Sequence, residues 1–95
     1  MTALRVVEAR VTGRVQGVGF RWFVLRSARA LGVTGWVRNT REGEVEVHAT
    51  GEAARVSELL EILRRGPAHA GVQSVVVEER PATDADVNAE FEIIP

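Results

Sequence analysis

The stretch Val7-Glu8-Ala9-Arg10-Val11-Thr12-Gly13-Arg14-Val15-Gln16-Gly17-Val18-Gly19-Phe20-Arg21 changes its periodicity halfway along. Val7, Ala9 and Val11 alternate with Glu8, Arg10 and Thr12, which is the period of a strand with one face buried. The reading predicts a strand from Leu4 to Thr12, interrupted by Gly13, Gly17 and Gly19. Beyond the glycines, Phe20, Val24, Ala28 and Leu31 recur at helical spacing, and Gly32 follows directly, predicting a helix over about 21–31. A strand thus feeds a helix through the loop of residues 13–21.

The remaining elements follow outward from that junction. Val33 to Thr40 reads as a second strand, and Arg41-Glu42-Gly43 as a tight turn. Val45, Val47 and Ala49 alternate with Glu44, Glu46 and His48, so a third strand returns as a hairpin. Ala53, Val56, Leu59, Leu60 and Leu63 form an amphipathic stripe that stops at Gly66-Pro67. Val72 to Glu79 is a fourth strand, Pro81 to Asn88 a polar connection, and Phe91-Glu92-Ile93-Ile94 a short final strand at an edge. The order β-α-β-β-α-β plus one strand predicts an α+β, ferredoxin-like split βαβ sandwich, with two helices on one face of an antiparallel sheet. The 95 residues match the size of one domain, so residues 1–95 are expected to form a single unit. Strand direction puts the loop after strand one and the turn after strand two at the same end of the sheet, which makes Gly13–Arg21 a neighbour of Asn39-Thr40.

Composition narrows the chemistry. The chain has no cysteine, which removes disulfides, thiolate metal sites and cysteine nucleophiles. All twelve basic residues are arginine, which excludes Schiff-base and lysine-dependent phosphate chemistry. Residues 1–41 carry eight arginines against one acid, Glu8, while residues 42–95 carry four arginines against twelve acids. The first half therefore suits an anionic ligand, although a fold that mixes the halves dilutes the asymmetry. The start, Met1 to Arg5, lacks the apolar run of a signal peptide, and no segment has membrane-spanning length. A cytoplasmic monomer with no membrane partner is expected.

The loop is the strongest candidate site. Amides at a helix start lack intrahelical partners, and the helix dipole adds partial positive charge there. Glycines let successive N–H groups converge on one anion. Arg21, in the first helical turn, carries a guanidinium able to bind phosphate with two N–H groups. The loop fits neither familiar nucleotide template. A dinucleotide fingerprint needs glycine where Trp22 stands, and a P-loop needs the lysine this chain lacks. These residues define an anion site without naming the anion. Asn39 reads either as a turn-favouring asparagine opening the hairpin or as an amide holding a water or substrate oxygen beside that site, with Thr40 a weaker neighbour. His48 and His69 have no carboxylate or second histidine at ligand spacing, Asp84 and Asp86 read as solvated loop acids, and no metal set is visible. Trp22 and Phe23 read as core or as cover for the loop. The aromatics are not interleaved with basic residues along the strands as an RNA-binding sheet requires, so no nucleic-acid partner is expected.

At these residues the sequence resembles the acylphosphatase family. The match is Gly-Arg-Val-Gln-Gly-Val-Gly-Phe-Arg at 13–21, then Leu-Gly-Val-Thr-Gly-Trp-Val-Arg-Asn at 31–39 and Gly-Glu-Val-Glu at 43–46, with Gly66-Pro67 and Val72-Gln73-Ser74-Val75 in the places the family gives them. The resemblance implies the ferredoxin-like fold and hydrolysis of acyl phosphates to carboxylate and inorganic phosphate, and the lack of a nucleophile or ligand set in the sequence adds the expectation of no metal and no cofactor. It implies that Arg21 binds the phosphate, that Asn39 positions the attacking water, and that the backbone amides of Gln16, Gly17, Val18, Gly19, Phe20 and Arg21 complete the phosphate cradle. Glu42-Gly43 replaces the family's frequent Asp-Gly, and the chain has no tyrosine. An alternative within the resemblance is a relative of the acylphosphatase-like domains found inside larger maturation enzymes.

Overall fold

The computed structural model describes residues 3–83 and 90–95. Strand β1 (Leu4–Arg14) enters helix α1 (Phe20–Ala30), followed by β2 (Thr34–Asn39), β3 (Val45–Glu52), α2 (Ala53–Arg65), β4 (Gly71–Arg80) and β5 (Glu92–Ile93). The sheet order is β4-β1-β3-β2-β5. Its register puts the apolar sets of neighbouring strands on one face: Val7 opposite Ala49, Ala9 opposite Val47, Val11 opposite Val45, and Val37 opposite Val47. A slip of one residue would turn each of these to the other face.

Both helices close over that face. α1 contributes Phe20, Val24, Leu25 and Ala28, and α2 contributes Val56, Leu59, Leu60 and Leu63, all buried. Phe91, just before β5, is 1% exposed and extends the same core beneath α1. Truncating a leucine such as Leu59 in this core costs about 2–5 kcal/mol. The helix-free face carries Glu8, Arg10, Glu46, His48, Trp36 and Arg38.

The α+β, ferredoxin-like architecture expected from the patterning is present, with one correction. β5 pairs parallel to β2, Trp36 opposite Glu92, so the sheet is mixed rather than wholly antiparallel. The reason is geometric. β4 ends at the end of the sheet where β2 begins, and a strand entered from that end along the β2 edge must run with β2. β1 also runs past Thr12, where the sequence put the loop's start. The pairing with β4 shifts register between Thr12 and Gly13 and then continues through Arg14 opposite Gly71. The polar connection expected over 81–88, with Asp84 and Asp86, lies largely outside the described residues. Among the described residues, no helix is long and apolar enough to cross a membrane.

Candidate active site

The loop between β1 and α1 is built by alternating backbone handedness. Gly17 has φ 74° and Gly19 has φ 76°, whereas no non-glycine residue among the described residues has positive φ, so Gln16, Val18 and Phe20 keep the ordinary sign. Alternation of this kind turns successive N–H groups toward one side, the concavity that binds anions. A Cβ on Gly17 or Gly19 would meet nothing within 4 Å, so backbone conformation demands these glycines, not crowding. Val15 and Phe20, at 1% and 2% exposure, pin the two ends of the loop into the core.

Gly19 is also the N-cap of α1. No side chain caps the helix and no acid lies in its first turn. The first intrahelical bond runs from Phe23 N to Gly19 O at 3.1 Å. The amides before it therefore remain as donors, with the helix dipole behind them and no carboxylate to neutralise them. Arg21 stands in this turn, exposed, and its guanidinium has no ion pair or hydrogen bond to another described residue.

The loop is fastened to the β2–β3 hairpin by one side chain. Gln16 Nε2 donates to Thr40 O at 2.9 Å and to Glu44 O at 2.8 Å. Both amide hydrogens are used, so loop and hairpin hold a fixed spacing. Thr40 closes the hairpin turn: its Oγ1 accepts from Glu44 N at 3.1 Å, and its own N donates to Glu44 O at 2.9 Å. Asn39, the last residue of β2, pairs with Val45, which faces Val11 of β1 across β3. Its Oδ1 is buried without a hydrogen-bond partner among the described residues. Sequence reasoning thus brought the right segments together but missed the bridge, because a glutamine inside a glycine loop gives no signal that its partners lie 24 and 28 residues away.

The other sequence candidates fall elsewhere. Trp22, read as core or cover, is 63% exposed. Phe23 is half-buried and packs edge-on against Phe20, centroids 6.0 Å apart. His48 lies on the helix-free face as the alternation requires, but it does have a carboxylate neighbour. The β1–β3 register sets Glu8 opposite it, Nδ1 to Oε1 3.6 Å, and its ring stacks on Trp36 at 5.7 Å. His69 is exposed between α2 and β4. No group of three or more potential metal-ligating side chains occurs among the described residues.

One depression reaches from Asn39 and Thr40 away from the loop. A groove of about 720 Å³ opens at the hairpin and the helix-free face, lined by Arg10, Arg38, Asn39, Arg41, Glu42 and Glu46 among others. Two of its three cations already have partners: Arg10 lies 3.4 Å from Glu44, and Arg38 lies 2.9 Å from Glu46. Arg38 also covers Trp36 at 5.6 Å. An anion entering between Arg10 and Arg38 must displace carboxylates, whereas at Arg21 it displaces none.

The comparisons with known proteins agree with this architecture. Residues 7–93 match the family model described as Acylphosphatase. The chain is 51% identical over 79 residues to an acylphosphatase of Salinibacter ruber, covering 83% of each protein. It is 53% identical over 75 residues to an acylphosphatase of Mesorhizobium japonicum, covering 79% of this chain and 80% of that protein. The fold superposes on the crystal structure of acylphosphatase from Bacillus subtilis with TM-score 0.90 and 32% identity, covering 98% of this chain and 100% of that one. This chain belongs to the acylphosphatase family and is a hydrolase of that kind.

Proposed function

We propose that the enzyme hydrolyses the carboxyl–phosphate bond of small acyl phosphates. Arg21 and the amides of residues 16–21 hold the phosphoryl group, and Asn39 holds the water. The observation that carries this reading is an uncapped helix start, preceded by alternating glycines and followed by an unpaired arginine, fastened through Gln16 to the hairpin that ends β2. Each charge-assisted hydrogen bond from Arg21 contributes about 1.5–3 kcal/mol. The amide of Asn39 carries both an acceptor and donors that suit a water, and its Oδ1, buried in the free protein, has no competing partner among the described residues.

The reaction needs little else. Water oxygen attacks phosphorus in line, the bond from phosphorus to the carboxyl oxygen breaks, and the carboxylate leaves with the electron pair. The water's proton passes to a phosphoryl oxygen, giving inorganic phosphate. The leaving group is already good, so holding the phosphoryl group and aiming the water are the main tasks. Donors fixed before the reaction stabilise the spreading phosphoryl charge without reorganising. The reading carries with it a cytoplasmic monomer that forms no covalent intermediate and needs no metal. A phosphorylated enzyme trapped on quenching, or activity lost to a chelator, would contradict it.

The two assigned roles separate in kinetics. Arg21→Ala weakens competitive inhibition by inorganic phosphate along with substrate capture. Asn39→Ala lowers kcat with acetyl phosphate by about a hundredfold while phosphate still binds. Turnover near wild type in Asn39→Ala would remove the residue from the mechanism.

A further inference from the structure

Seven of the twelve arginines stand within 4.0 Å of a carboxylate oxygen. The other five are Arg14, Arg21, Arg26, Arg41 and Arg65, all exposed, and none has an ion pair or a side-chain hydrogen bond among the described residues. The topology gathers four of these five at one end of the molecule. Arg14 is the last residue of β1 and leads into the loop. Arg21 opens α1. Arg41 follows Thr40, whose carbonyl receives Gln16 from the loop. Arg65 closes α2, and the next residue, Gly66, lies against Phe20: a Cβ there would stand 3.2 Å from the Phe20 ring. Only Arg26, farther along α1, is elsewhere. Glu42 is the one described carboxylate on these segments without an ion pair, since Glu44 belongs to Arg10. The end that carries the loop is therefore strongly cationic in a chain whose net charge is −1.

We propose that Arg14, Arg41 and Arg65 form an outer ring of uncompensated guanidinium groups that concentrates dianionic phosphoryl compounds at the loop without touching them. This rests on the reading of residues 16–21 as the phosphate cradle. The ring acts through its field. At 0.01 M salt the Debye length is about 30 Å. The two short dimensions of the molecule are 23 and 21 Å, so all three charges act on a dianion at the loop. At 1 M salt the Debye length is about 3 Å, and their influence vanishes. Clefts lined by one sign of charge raise local ligand concentration by about ten- to a thousandfold.

The test is the triple variant Arg14→Gln/Arg41→Gln/Arg65→Gln, which removes no side-chain hydrogen bond or ion pair among the described residues. Inorganic phosphate is titrated by amide NMR, and acetyl phosphate turnover is measured, both at 0.01 M and 1 M salt. The expected result is about tenfold weaker phosphate binding at 0.01 M salt, less than about a twofold difference at 1 M, and unchanged kcat. The triple arginine-to-lysine variant retains the wild-type salt dependence, because it keeps the charges and loses only the planar fork. Wild-type affinity and salt slope in the glutamine triple variant would overturn the proposal. So would a loss of affinity equally large at 1 M salt, which indicates direct contact. Phosphate binding that follows this pattern in a protein that does not hydrolyse acetyl phosphate leaves the ring standing and removes the reaction. Phosphate binding unaltered by Arg21→Ala removes the cradle and the ring together.

Discussion

The two regions richest in arginine use the same side chain in opposite ways. On the helix-free face of the sheet three guanidinium groups meet carboxylates of a neighbouring strand or its turn: Arg10 has Glu44, Arg38 has Glu46, and Arg80 has Glu8. At the loop end, Arg21 has none, and the helix it opens has no acid in its first turn. Cross-strand neighbours cause the first arrangement, because opposite charges face one another on adjacent strands. A helix start entered from a glycine loop causes the second, because Gly17 and Gly19 offer no side chain that competes for the amides. An arginine is available to a ligand where the fold withholds a carboxylate, and burial or groove size alone does not identify that place.

The sharpest way to break this contrast is to remove one arginine from each region. Arg21→Ala lowers kcat/KM for acetyl phosphate by a hundredfold or more, whereas Arg38→Ala changes it by less than about threefold. Equal effects from the two variants would end the distinction. The next test concerns the bridge. Gln16→Glu sets a carboxylate against the carbonyls of Thr40 and Glu44, so urea unfolding shows a loss of about 1–3 kcal/mol. Turnover falls on the order of tenfold as the loop drifts from Asn39, while Gln16→Ala, which leaves the carbonyls open to water, shows a smaller loss of stability. Stability and kcat unchanged in Gln16→Glu would show that the bridge fixes nothing. Smaller again is Gly19→Ala. It places a side chain at φ 76°, costs about 1–2 kcal/mol in a thermal or urea melt, and weakens phosphate binding by distorting the amides.

The smallest expected effect lies far from the loop. Arg5 holds Glu79 with Nε to Oε1 at 3.1 Å and Nη2 to Oε2 at 2.7 Å. These hydrogen bonds hold the Glu79 carboxyl below its ordinary pKa. A depressed folded-state pKa stabilises the protein above the unfolded-state value, and that stabilisation is lost as pH falls through the folded-state value. The stability difference between wild type and Glu79→Gln is therefore present at neutral pH, slight because the pair is exposed, and absent in strong acid. A difference that grows in acid would reverse the assignment.

Much of this arrangement is legible in the sequence because its signals are local. The switch from alternation at Val7–Val11 to helical spacing at Phe20–Ala28 marks the junction, and strand direction alone sets Asn39 at the loop's end of the sheet. What is not legible depends on distant partners. β1 reaches Arg14 because Gly71 lies opposite it, and no pattern within residues 12–14 states that. β5 is parallel because of the edge it joins. His48 meets Glu8 through a register that neither strand specifies alone. Trp22 occupies a helical position whose exposure depends on which side α2 takes, and α2 takes the side of Phe23.

Amide NMR during titration with inorganic phosphate decides between an anion held at the loop and one held in the groove beside Arg10 and Arg38. Binding at the loop gives saturable shifts concentrated at residues 16–21 and at Asn39, abolished in Arg21→Ala. Shifts centred instead on Arg10, Arg38 and Glu46, and surviving Arg21→Ala, would contradict it.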